Sequence, residues 1–173
     1  DIETRNLFAE RLEQGDAPDA LMAAIHKNSR DNARTPMQWD ASDNAGFSSA
    51  KPWLKVNPNY PEINVEASLE DQNSIFHHYQ RLIQLRKTNP TLIDGQFKLL
   101  LADHPQVFAY LRKTDSETLL VVGNLSTEHL TVPLSDNLLS DSAQVLVCSG
   151  TSRTGLSQRV ELAPYDAFIM SLG

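Results

Sequence analysis

Two arginines and two aspartates crowd together in Ser29-Arg30-Asp31-Asn32-Ala33-Arg34-Thr35-Pro36-Met37-Gln38-Trp39-Asp40, among amides, a proline and a tryptophan. An arginine presents a planar fork of donors that pairs with a carboxylate or with several hydroxyls at once, so Arg30 and Arg34 are candidates for gripping a polar ligand. The competing reading is a salt bridge that only orders the loop. Asp31 is read as the acid that fixes one of these arginines rather than as a reacting group. Trp39, Phe47, Trp53 and Tyr60 have faces suited to stacking on a ring, but they are expected to pack as the core of the loop itself.

The segment has neither helical nor strand periodicity, and it runs on through Asn44-Ala45-Gly46-Phe47, Lys51-Pro52-Trp53-Leu54 and Asn57-Pro58-Asn59-Tyr60 to Ile63-Asn64-Val65-Glu66. Long loops that stay ordered usually carry function. This ordered series resembles the α-amylase family, glycoside hydrolase family 13, and within it the exo-acting α-glucosidases of the oligo-1,6-glucosidase and trehalose-6-phosphate hydrolase type. The resemblance implies that the motif lies after the last strand of a (β/α)8 catalytic barrel and before its last helix. It implies further that a motif arginine, first Arg30 and second Arg34, pairs with a barrel acid and closes the pocket around a terminal glucose. Arg30, Arg34 and Asp31 are thus the substrate-pocket residues it points to.

The family's nucleophilic aspartate, acid/base glutamate and third aspartate belong to earlier barrel strands, so no catalytic residue is assigned in this chain. Asp31, Asp40 and Asp43 are not taken as the carboxyl pair that glycoside hydrolysis needs. A (β/α)8 barrel takes about 250 residues, more than the 173 present. The chain is therefore read as the carboxyl-terminal part of a larger enzyme, inert alone, whose partners are the missing amino-terminal barrel of the same polypeptide and a short α-glucoside. Lys51 and Lys55 could face a phosphate, but solvated surface explains them as well.

The elements that must hold this motif divide at residue 94. Leu7, Phe8 and Leu12, then a stop at Gly15, then Asp16-Ala17-Pro18-Asp19 before Leu21, Met22 and Ile25, predict a helical hairpin. Ile75, Phe76, Tyr79, Leu82 and Ile83 predict a helix over 74–87, closed by Asn89-Pro90. From Gly95 on, seven runs enriched in β-formers (97–101, 107–112, 119–124, 129–133, 144–148, 159–162 and 166–172) are separated by turn residues. The fold class is α+β: helices and a loop from the end of a barrel in 1–94, then an antiparallel β-sandwich in 95–173. Leu99, Val107, Phe108, Leu120, Val122, Val145, Val147, Phe168 and Met170 are its candidate core. The strands show no evident aromatic platform, which weighs against the alternative of a carbohydrate-binding module.

Composition narrows the remaining classes. A net charge of −7 with no basic cluster argues against nucleic acid or an anionic membrane as partner. No apolar run approaches the ~20 residues of a membrane span. The lone Cys148 has no internal disulfide partner and fits a reducing, cytoplasmic setting. His77 and His78 are adjacent on a helix and diverge, while His26, His104 and His129 lie apart, so no metal is expected. No nucleophile elbow, phosphate loop or dinucleotide fingerprint occurs, and no cofactor is expected.

Overall fold

The computed structural model describes residues 2–150 and 153–173. Its contacts divide the chain into two compact units, Asp1–Ser74 and Ile75–Gly173.

The first unit opens with the hairpin of α1 (Ile2–Glu13) and α2 (Pro18–Asn28). Gly15, at a φ of +93°, lets the chain reverse, and its N–H and that of Asp16 close on the carbonyls of Leu12 and Arg11. Pro18 then starts α2, where a missing N–H does no harm. Neither helix buries a residue. Two single-turn 3-10 segments come next, Arg30–Ala33 and Asp43–Gly46, and then α3 (Val65–Glu70), a short helix that the sequence reading did not separate from the loop.

The second unit begins with α4 (Ile75–Thr88), within one residue of the predicted helix at each end, and α5 (Pro90–Asp94). Asn89 and Pro90 do end α4, but they also start α5: Asn89 accepts the N–H of Leu92, and Pro90 sits in the first turn. All seven predicted strands form: β1 (Gln96–Leu100), β2 (Val107–Lys113), β3 (Thr118–Asn124), β4 (Leu130–Pro133), β5 (Gln144–Cys148), β6 (Arg159–Leu162) and β7 (Ala167–Ser171). Among the described residues they make an antiparallel five-stranded sheet in the order β1-β2-β3-β7-β5 and a two-stranded sheet of β4 and β6.

The core lies between the two sheets. Val107, Ala109, Leu111, Leu120, Val122, Phe168 and Met170 come from one side and Val132, Val160 and Leu162 from the other, with Leu134 and Leu138 closing an end. Val145 and Cys148 pack at its margin, and Cys148 is a free, half-buried thiol. Arg153 stacks on the ring of Phe168, 4.5 Å from its centroid, and pairs with the buried Asp166 at 2.5 Å.

Two expectations of the sequence fail here. Leu99, Phe108 and Val147 stand on the outer face of the five-stranded sheet, not in the core, Val147 because a register shift in β5 sets it opposite Ile169. Strand β2 is apolar on both faces, and the sequence did not say which parity points inward; Val107, Ala109 and Leu111 are the buried set. The strands also do carry exposed aromatics, since Phe97, Tyr110 and Phe108 lie ring to ring.

Phe168→Ala should therefore cost about 3–5 kcal/mol through the cavity it leaves, whereas Phe108→Ala in this chain should cost only about 1 kcal/mol, for a half-exposed ring that touches Tyr110. Denaturant midpoints of the two variants check the assignment of faces.

Candidate functional site

The motif has no strand or helix partner of its own, so its backbone polar groups must find bonds within the loop. The carbonyl of Ala45 accepts the N–H of Trp39 at 2.8 Å and that of Asp40 at 3.4 Å. Presenting that carbonyl takes a run of left-handed residues, Asn44, Ala45 and Gly46, with φ of 54°, 59° and 64°. Ala45 is fully buried and non-glycine there, a conformation that costs about 1–2 kcal/mol. Asn44 holds the turn by donating its side-chain amide to the carbonyl of Ser48 at 3.0 Å.

A second clasp joins the motif to the start of α3. The N–H groups of Val65 and Glu66 donate to the carbonyls of Gln38 and Trp39 at 3.0 Å each. Gln38 donates its amide to Asn59 Oδ1 at 3.1 Å and to the Ile63 carbonyl. The buried Asn64 caps α3 by accepting the Ala67 N–H at 2.8 Å, and its amide donates to the Tyr60 carbonyl at 2.9 Å. These amides are the structural counterpart of the asparagine-rich spelling of the segment.

Asp40 points back into the left-handed turn. It accepts the hydroxyl of Ser42 and then its N–H, at 2.8 Å for the latter, and these bonds hold its carboxyl below the ordinary range. A Cβ on Gly46 would stand 2.5 Å from Asp40 Oδ2, so the close approach as well as the positive φ requires glycine.

The three predicted pocket residues lie on or beside the first 3-10 turn. Arg34 Nη2 donates to Asp31 Oδ1 at 2.6 Å, so Asp31 does fix an arginine, the one three residues on. Arg30 Nη2 instead reaches Glu3 Oε2 on α1 at 2.5 Å. Glu3 escaped the sequence reading because an exposed acid on a helix carries no local mark of a partner 27 residues away. Beside this pair, Leu7, Phe8, Leu21 and Ile25 line a groove of about 450 Å³ between the hairpin helices.

Of the four loop aromatics expected to pack as its core, Tyr60 is half-buried, but Trp39, Phe47 and Trp53 are exposed. Trp53 is 85% exposed, and Met37, Trp39 and Phe47 are each about half exposed. Pro36 and Ala45 are buried in their place, so the loop is held by hydrogen bonds and small residues. Among the described residues no three His, Cys, Asp or Glu side chains converge as a metal set, and no helix is long and apolar enough to cross a membrane.

A family profile described as alpha amylase, catalytic domain, matches residues 4–95, and one described as the alpha-amylase SusG C-terminal domain matches residues 107–169. The chain belongs to the α-amylase family, glycoside hydrolase family 13. Oligo-1,6-glucosidase from Parageobacillus thermoglucosidasius is 41% identical over 99% of this chain and 31% of the relative. Trehalose-6-phosphate hydrolase from Bacillus subtilis is 42% identical over the same shares. The crystal structure of Bacillus licheniformis trehalose-6-phosphate hydrolase superposes with a TM-score of 0.89 at 35% identity, covering all of this chain and 32% of that one. The chain thus spans about a third of the length of the relatives it matches.

Asn64→Ala should destabilise the first unit by about 0.5–2 kcal/mol through the lost cap, with Asn64→Asp retaining the acceptor and much of the stability. Amide exchange at Ala67 reads the difference. Because the folded pKa of Asp40 lies below its unfolded value, its contribution is present above that unfolded value and is lost as pH falls through the folded one. Amide exchange at Ser42, compared at matched pH between the native chain and Asp40→Asn, should converge in acid, below about pH 4, and diverge above it.

Proposed function

We propose that this chain is the carboxyl-terminal part of a retaining exo-α-glucosidase that hydrolyses short α-glucosides, either oligo-1,6-glucosides or trehalose 6-phosphate. The observation that carries the reading is likeness along nearly the whole chain, at 41% and 42% identity, to an oligo-1,6-glucosidase and a trehalose-6-phosphate hydrolase. Near-equal likeness to both leaves the shared chemistry, release of an α-linked glucose unit to water, as the substrate class. The boundary of the barrel portion is put at residue 94, with the β-sandwich from 95 onward.

In this reading the nucleophile and the acid/base, which make and hydrolyse the glycosyl-enzyme, lie in the barrel that precedes Asp1. The present residues shape the pocket rim. Arg30 is put first and Arg34 second for closing the pocket around the terminal glucose. Arg34 is held by Asp31 within its own turn, whereas the Arg30 side chain is 64% exposed and is met from a different element. An arginine positioned in this way can share its donors between a protein carboxylate and substrate hydroxyls. The half-buried thiol of Cys148 suits a reducing compartment, and the enzyme is assigned to the cytoplasm on that ground.

Residues 1–173 alone should turn over neither p-nitrophenyl α-glucoside nor trehalose 6-phosphate, because groups that act as a set lose nearly all their acceleration when members are missing. Turnover by the purified chain, free of contaminating glucosidase, would end this reading. In the longer polypeptide, Arg30→Ala should lower kcat/KM by the equivalent of about 2–5 kcal/mol with little change in Tm, and Arg30→Lys should restore only part. A large loss for Arg34→Ala with normal activity in Arg30→Ala would move the role to Arg34. Equal losses of activity and Tm in both would reduce the arginines to loop ordering.

A further inference from the structure

The connection from β5 to β6 carries Arg153, whose guanidinium is clamped from behind. It sits over the ring of Phe168 and gives Nη2 both to the carbonyl of Glu161 and to Oδ2 of Asp166. A guanidinium closed squarely on a carboxylate would make two parallel bonds. This one does not: Arg153 Nε and Asp166 Oδ1 are sealed from solvent without a partner. Buried polar atoms left unpaired lower stability, and their presence calls for a reason other than packing. The Asp166 side chain is 1% exposed and that of Arg153 16%, and the orientation leaves Nη1 as the accessible end of the guanidinium, bonded to no described residue.

Arg153 and Asp166 line a cavity of about 420 Å³ beside the two-stranded sheet, within the range of about 300–1,000 Å³ common for small-molecule sites. Thr131 of β4 and Glu161 of β6 stand directly opposite each other in the register, so their side chains leave the sheet on one face, while their neighbours Val132, Val160 and Leu162 are buried. Both are exposed, and with His129 they line the same cavity. Among the described residues, the Thr131 hydroxyl, the Glu161 carboxylate and the His129 ring have no hydrogen-bond or ion-pair partner. Three unspent side chains and a rigidly held guanidinium therefore border one cavity.

The charges select the ligand. Asp166 neutralises Arg153 and Glu161 adds a further carboxylate, so an anion gains little here, and a metal ion would meet the guanidinium. A neutral hydroxyl suits every group: it can accept from Nη1 and donate to Glu161, and Thr131 serves in either sense. Adjacent hydroxyls on one sugar ring reach a donor and an acceptor together. We infer that this cavity binds a neutral pyranose unit of an α-glucoside through its hydroxyls. The choice of an α-glucoside among polyols rests on the proposed function of the chain. No Trp, Tyr or Phe lines the cavity, so the sugar is held by hydrogen bonds without a stacking platform, with a Kd on the order of 1 mM.

Titration of the 15N-labelled 173-residue chain with isomaltose, followed by amide chemical shifts, tests this. The amides of 129–131, 153 and 161–163 should shift saturably, and Glu161→Ala and Thr131→Val should each weaken binding about five- to tenfold, as loss of one hydrogen bond does. The same spectra show that both variants remain folded. Absence of a saturable shift at these amides at about ten times the expected Kd would overturn the inference. So would a stronger response to inorganic phosphate, which would make the cavity an anion site, equal affinity for glycerol, which would leave no pyranose recognised, or unchanged affinity in both variants. Glucosidase activity of the longer polypeptide separates the two readings. Saturable shifts beside an inactive longer polypeptide would retain the saccharide site and remove the enzymatic proposal, whereas activity without shifts would remove the site alone.

Discussion

Backbone groups without a helix or a sheet to pair them must still be paired, and that requirement shapes everything the motif loop does. The Ala45 carbonyl takes the N–H groups of Trp39 and Asp40, the Gln38 and Trp39 carbonyls take those of Val65 and Glu66, and Asn44, Asn64 and Gln38 fill the gaps with their amides. The left-handed run at Asn44-Ala45-Gly46 is tolerated because these bonds over-determine it. Arg30 and Arg34 thus project from a loop whose shape is fixed by amide bonds, and the exposed Trp39, Phe47 and Trp53 remain on its surface.

The same requirement appears at the end of the sandwich. Asn124 donates to the carbonyls of Glu128 and Ala163 and accepts the N–H and hydroxyl of Ser126, binding two connections that have no ladder of their own. Glu117 does this for α5, taking donors from Asn89 at 3.0 Å and Ser171 at 3.1 Å. Packing then acts on a frame already set. In the second unit it fills a core between two sheets; in the first, α1 and α2 bury no residue.

Much of this architecture is legible in the chain. Seven strands and the helix at 75–88 emerge from changes in hydrophobic period, and Gly15 with Pro18 marks the hairpin. The failures have physical reasons. Pro90 reads as a stop, yet a proline in the first turn of a helix is also a start, and Asn89 serves as the new cap. Leu99 and Phe108 read as inward because an apolar pattern on both faces of a strand hides its parity. For the site, the local pairing of Asp31 with an arginine is readable, but Glu3 is not, because its contact with Arg30 depends on where the hairpin carries it.

Strand β3 is apolar on both faces, and this bears on how the sheet finds its register. Its residues Leu119, Leu120, Val121 and Val122 offer similar surfaces to either side, so sliding by one position against β7 would exchange one set of methyl groups for another at small loss. The ends of the strand break that degeneracy. Asn124 donates its N–H to the Asp166 carbonyl at 2.8 Å, and at the other end Thr118 exchanges bonds with Leu172 and Gly173. The polar ends thus specify a register that the apolar middle of β3 leaves open. Groups that add little to packing therefore carry the uniqueness of the strand pairing.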